Sequence, residues 1–351
     1  VTAASKEGFV ALGVYGAYPH TNGFLPGGER MVVGSADLDA LLIVDVAVGA
    51  TPRPLLEFAG IGSAPGAIPW FDVALEVPLL ATVWAGRILT LDLSDVSPRP
   101  RVVRTAAEGA AFDGLVSISP DGTRIAAIEV RGDSRMLLVI DARSGSVENS
   151  TVLHGTANHV QLSPADPAWV GFAHEGPAES IPDRMWGVHP RLAPQGISLF
   201  DQRALSSDHD DPLQAGHERW MFHRPGAIIV AYGEGPAPRG VWEVPVDAEA
   251  RLISAGDRDW HCGISRDGTR VVVDTTGPAA APGRGWADAG DRSSIVVINT
   301  ATGARTVVAE TRFAPHPFHP HPAFTPDGTQ IVHNHIDAQG RRGVALCEAA
   351  L

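Results

Sequence analysis

The run HPFHPH at 316–321 puts three imidazoles on one short segment. In an extended stretch alternate side chains share a face, so His319 and His321 point the same way, and His316 on the preceding bend can fold onto that face. Pro317, Pro320 and Pro322 stiffen the segment and keep it out of a regular ladder, which suits a ligand loop. Convergent imidazoles are a donor set for a divalent metal. His261 joins them by spacing. In WHCGISRDG it stands seven residues before a turn glycine, as His321 does in HPAFTPDG, so the two occupy equivalent points of neighbouring repeats. The expected centre is one divalent ion on His261, His316, His319 and His321. His217, in GHERW, opens another repeat and reaches the same pocket, while Arg184, in DRMW, carries a guanidinium able to grip a carboxylate with two bonds.

Plainer readings exist for each group. HPFHPH also reads as a solvated, Pro-rich connector, and His261 as a packed ring. Cys262 is expected to face the core, and Glu175, Asp183, Glu218 and Arg219 to form ordinary ion pairs at the surface. His333 and His335 share a strand face and are expected to be exposed. His174 and His223 stand next in line for proton abstraction after His217.

These residues need a scaffold that brings distant segments to one point, and the repeats supply it. A cassette of strand, Asp-Gly turn, strand, third strand and further turn appears as SISPDGTRIAAIEV with MLLVIDARSGS, as GISRDGTRVVVDTT with SIVVINTATGA, and as AFTPDGTQIVHNHID. Degenerate copies fill the gaps at a period of roughly 40 to 50 residues, which is the period of propeller blades. Asp-Gly places glycine where the hairpin needs positive φ. Seven such starts predict an all-β, seven-bladed β-propeller forming a single domain over 1–351. The last blade runs out of chain after about three strands, so the apolar run FVALGV at 9–14 is expected to close the ring as its outer strand. No helix pattern of useful length survives the 38 glycines and 28 prolines.

Composition narrows the function. Lys+Arg 27 against Asp+Glu 40 gives a net charge of −13, a field that repels nucleic acid, anionic membranes and long polyanions, so small substrates are expected. No apolar run is long enough for a membrane helix. Two cysteines make no disulfide framework, which points to a cytoplasmic protein. The chain opens on Val1 without a charged-then-apolar leader, as when a leader has been removed or the chain trimmed. A G-x-S-x-G elbow, a P-loop and a G-x-G-x-x-G turn are all missing, so serine-hydrolase, phosphate-loop and dinucleotide readings have no starting residue.

The ordered motifs VQLSPADPAWVGFAHEGP, DRMW, HERW, HCGISRDG and HPHPAFTPDG resemble those of the oligogalacturonate lyases, seven-bladed propeller polysaccharide lyases. The resemblance runs from about residue 115 to 351, with a weaker match from His20. It implies a metal held by His261, His319, His321 and the residue three before His319, with His217 as base and Arg184 close by. It also implies manganese and a short anionic saccharide substrate, cleaved by β-elimination. The family usually has glutamine where this chain has His316. That exchange draws the site toward borderline metals such as Zn, Fe, Ni or Co. The interval between DRMW and HERW is longer than in the family, so another sugar acid or a specialised small molecule is an open alternative. A non-catalytic binding propeller is the third reading; it predicts no bound metal.

Overall fold

The computed structural model describes residues 8–177, 180–232, 238–256, 258–275 and 291–350. Those residues form seven four-stranded antiparallel sheets arranged as a seven-bladed β-propeller. The single-domain reading over 1–351 includes termini and an internal stretch, 276–290, that lie outside the described residues.

Each blade grows from an axial strand outward, and the local chemistry of its first turn explains why. In Ser265–Thr269 the Ser265 hydroxyl donates to the Asp267 carboxylate at 2.6 Å, and the same carboxylate accepts the Thr269 N–H at 3.0 Å. Gly268 sits at φ +73, where an L side chain is strained. It also lies beneath the ring of His223, which would collide with any Cβ there. Equivalent bonds recur at Ser119–Thr123 and Thr325–Thr329. After the turn, apolar residues of facing strands interleave between blades; Ile228 and Val230 of blade five, for example, pack with Val271 and Val273 of blade six. Each fully buried Val or Ile contributes roughly 1.5–3 kcal/mol.

The ring closes as expected, with one refinement. Gly8–Leu12 pairs with Arg342–Glu348 as the outer strand of the seventh blade, whereas Val14–Tyr15, beyond Gly13, opens the first blade. The apolar run at 9–14 is thus split between two blades at Gly13, whose φ is +70. Deleting the chain through Leu12 removes the buried Val10 and bares the Arg342–Glu348 edge. We expect a loss of about 3 kcal/mol or more, read as a lower melting temperature; an unchanged melting temperature would refute closure by this strand.

Helix is confined to single turns at Phe58–Gly60 and Gln202–Leu205 among the described residues. Among the described residues no helix is long and apolar enough to cross a membrane. The second turn lies in the long interval between DRMW and HERW and has a positioning role. Gln202 is fully buried, donates to the carbonyls of Ile181 and Leu213, and accepts the Arg184 N–H at 2.7 Å.

Candidate metal centre

The axial strands share a position four residues before the one whose N–H closes the first hairpin. In blades four to seven that position holds His159, His217, His261 and His321, because the closing groups are the N–H of Ser163, Met221, Ser265 and Thr325. In blades two and three it holds Trp70 and Leu115. Imidazoles therefore gather on one side of the axis. The strands bulge at this point in blades four, five and six, and His159, His217 and His321 have φ of +53, +53 and +46. A bulge turns a side chain off the ladder, and the left-handed backbone is a strain that the surrounding packing must sustain.

His319 and His321 reach the axis from the loop between blades six and seven. Buried Asn334 holds that loop, donating to the carbonyls of Pro317 and His319 and accepting the Gly16 N–H. Nitrogens of His261, His319 and His321 all lie within 4.8 Å of one another. The His316 ring adjoins this triplet, with centroids 3.9 Å from His319 and 5.3 Å from His321. The structure thus brings together all four histidines expected to bind metal, with three of them forming the tight group.

The donor set fits a divalent cation. His261 Nε2, His319 Nδ1 and both nitrogens of His321 are buried without a hydrogen-bond partner, an expensive arrangement unless something accepts their lone pairs. His261 Nδ1 lies 2.8 Å from Asp274 Oδ2, leaving Nε2 for the ion. Asp274 also accepts the N–H of His261 and of His321, so a single buried carboxylate ties the two blades and orients the ring. Burial, then the His316 imidazole, lowers the pKa of His319 to about 3, and burial followed by His159 lowers that of His316 to about 4. Both rings are neutral near pH 7, as ligands must be.

His217 stands against this group, its centroid 4.2 Å from that of His261, with Nδ1 unpartnered. Its carbonyl accepts the Cys262 thiol at 2.9 Å; Cys262 is core, as expected. Burial first, and Arg184 second, hold the His217 pKa well below the ordinary value.

Arg184 is close by but is not a free clamp. Nη2 pairs with Glu175 at 3.0 Å, Nε lies 3.5 Å from Glu218, and Nη2 is 3.3 Å from His159 Nδ1. Burial alone would lower its pKa, but Glu218 and Glu175 overcome that and raise it. The guanidinium first balances two carboxylates, one of them fully buried. Glu218 is 1% exposed and Arg219 8%, which corrects the surface reading of both. Charged residues read singly suggest a surface ion pair, but Glu218 and Arg219 stand on an axial strand enclosed by its neighbours. His333 is likewise buried at 1% rather than exposed. His174 pairs with Asp183 at 2.8 Å at the far end of its strand, and His223 lies on a hairpin turn, so neither adjoins the triplet.

Sequence reasoning missed His159 and Tyr18. The Tyr18 hydroxyl is 3.1 Å from His159 Nε2, and His159 Nδ1 is 3.2 Å from Glu218 Oε1, forming a buried line beside the histidine cluster. Tyr18 stacks on His316 at 5.8 Å, and burial pushes its phenol pKa up, keeping it protonated. A signal for His159 existed. HVQLSPAD carries it at the same distance from its turn as HCGISRDG carries His261.

No family model matches the chain. Two curated relatives do: an oligogalacturonide lyase of Pectobacterium atrosepticum, 24% identical over 221 residues, and an oligogalacturonate lyase of Dickeya dadantii, 25% identical over 221 residues. This chain resembles the oligogalacturonate lyases. The match covers 60% of this chain and 55% of each relative, so it spans about half the length of those lyases. Among solved structures, an oligogalacturonate lyase in complex with manganese superposes with a TM-score of 0.76 at 19% identity, covering 99% of this chain and 98% of that one. An oligogalacturonate lyase from Vibrio parahaemolyticus gives a TM-score of 0.76 at 17% identity, covering 97% and 92%. The likeness to the two solved lyases establishes the seven-bladed fold.

Proposed function

We propose that the protein is a metal-dependent carbon–oxygen lyase that cleaves short uronic-acid oligomers by β-elimination. The observation that carries this reading is the His261, His319 and His321 triplet with orphaned nitrogens, set beside the His217 ring with its unpartnered Nδ1. Elimination removes the proton at C5, next to the sugar carboxylate, and expels the oxygen at C4. The difficulty is the second negative charge that builds beside a carboxylate. A divalent ion on His261, His319 and His321, with His316 adjoining, would bind that carboxylate and offset the developing charge by several kcal/mol. Manganese is what one solved relative holds; the nitrogen-rich set of this chain also suits Zn, Fe, Ni or Co.

The chain's own groups do the rest. His217, neutral because burial disfavours its cation, accepts the C5 proton. Arg184, fixed through its backbone by Gln202, keeps Glu218 and Glu175 compensated and so preserves the axial wall on which His159 sits. Removing it would strand the buried Glu218 carboxylate, a loss of about 3–5 kcal/mol of stability.

The test is ultraviolet absorbance of the 4,5-unsaturated product on digalacturonate and trigalacturonate. The expected result is metal-dependent absorbance that chelation abolishes and metal restores. A metal-replete protein silent on both substrates would refute the uronide-oligomer reading.

A further inference from the structure

A further cavity of about 50 Å³ lies among blades one, five, six and seven; Tyr18 and His321 line it, and His261, His316, His319 and His217 do not. Arg219 and Arg266 line it together with Asn22, Thr325 and Phe222. Arg219 is 8% exposed, and its guanidinium lies over the Phe222 ring at 5.0 Å. Among the described residues it makes no hydrogen bond or ion pair. Asp72, which accepts the N–H groups of Asn22 and Ile118, favours the Arg219 cation through space but makes no ion pair with it. Burial, followed by the neighbouring Arg266 cation, works against the charged form, and the Arg219 pKa falls to about 10. Arg266 is half-buried and has no ion pair among the described residues.

Two guanidinium groups thus face one cavity whose described lining contains no carboxylate, in a chain of net charge −13. A guanidinium that reaches a cavity with no protein acceptor in contact leaves its N–H groups open to an oxygen anion. The volume sets the size. At roughly 10–15 Å³ for each water-sized position, about 50 Å³ holds three or four such positions, which is room for a carboxylate or a phosphate but not for a sugar ring.

We propose that this cavity is an anion-binding site, distinct from the metal centre, in which Arg219 and Arg266 hold a compact oxyanion. The donors are the two guanidinium groups, since the Asn22 amide already donates to the carbonyls of Phe24 and Val73 and the Thr325 hydroxyl to Asp327; Phe222 packs against the face of the Arg219 guanidinium. The shared chemistry is a small oxygen anion, whether inorganic phosphate or the carboxylate of a small organic acid.

Calorimetric titration of the metal-loaded protein with phosphate, and separately with acetate, against a chloride background of matched ionic strength tests this. Saturable one-to-one binding is expected, tighter for whichever anion is the better fit, and weakened at least tenfold in Arg266→Gln and in Arg219→Met. Melting temperatures should rise with the bound anion in the wild type and fail to rise in either variant. If Arg219→Met does not fold, Arg266→Gln, at a half-exposed position, decides alone. Absence of saturable binding of both anions overturns the proposal. Binding that persists in the variants also overturns it, because the anion would then sit on the metal or act through the solvent.

Discussion

His321→Ala is expected to lose bound metal and elimination activity together. His321 is buried, both its ring nitrogens lack partners, and its N–H is held by Asp274. Alanine removes one of the three closest ligands, and the remaining pair cannot complete a coordination shell. Changes to groups that merely orient a ligand cost 10–100-fold in affinity, so loss of the ligand itself should exceed about 100-fold. Elemental analysis checks it: about one divalent ion per wild-type chain, less than about a tenth of that in the variant, with turnover falling in proportion. Asp274→Asn should show a smaller loss, because the amide keeps one acceptor oxygen where the carboxylate uses two for His261 and His321. Stoichiometric metal retained by His321→Ala would overturn the ligand assignment, and a wild-type protein purified without metal and unable to take it up would return the chain to a non-catalytic role.

His217→Ala should separate metal from chemistry. The ring lies against His261 but is not one of the three whose nitrogens converge, so metal content should stay at the wild-type level. Elimination should fall by about 10²–10⁴-fold, the usual contribution of a positioned general base. Because burial and Arg184 depress the His217 pKa, the imidazole is a neutral base from the neutral range down to well below its ordinary value. The acid limb of the wild-type rate profile should accordingly lie below pH 6.5, with no gain in the fraction of neutral base above it. Unchanged turnover in His217→Ala, on a substrate the wild type plainly cleaves, would move the base to another axial group, with His159 now a nearer choice than His174 or His223.

The residues that sequence placed well share one property: their geometry is local or repeats along the chain. The Ser/Thr-x-Asp-Gly-Thr turns build themselves from bonds among five consecutive residues, so three blades could be read from them directly and the others from degenerate copies at the same period. Offset from the turn then put His261 and His321 at equivalent points, and the same rule would have found His159 had its turn kept the glycine that Asp166 replaces. The single helical turn Gln202–Leu205, four residues long, leaves no periodic trace, so the anchor of Arg184 was invisible.

What the tertiary structure alone decided concerns contacts across the ring. Tyr18 meets His159 over a separation of 141 residues, and Asp72 receives N–H groups from Asn22 and Ile118 of two other blades. A propeller axis collects one strand from every blade, so residues with no periodic relation become neighbours, and strands that alternate in sequence are buried on both faces there. That is why Glu218 and Arg219 read as surface residues yet are buried, and why Arg184 is committed to two carboxylates; His333, on the second strand of blade seven, is buried as well. Sequence by itself determined the repeat, the turns and the histidines at fixed distances from them, because those follow from bonds between near residues. Closure of the ring decided which charges are paired at the axis and which, like Arg219, face a cavity without a partner, because only closure sets what each buried group meets.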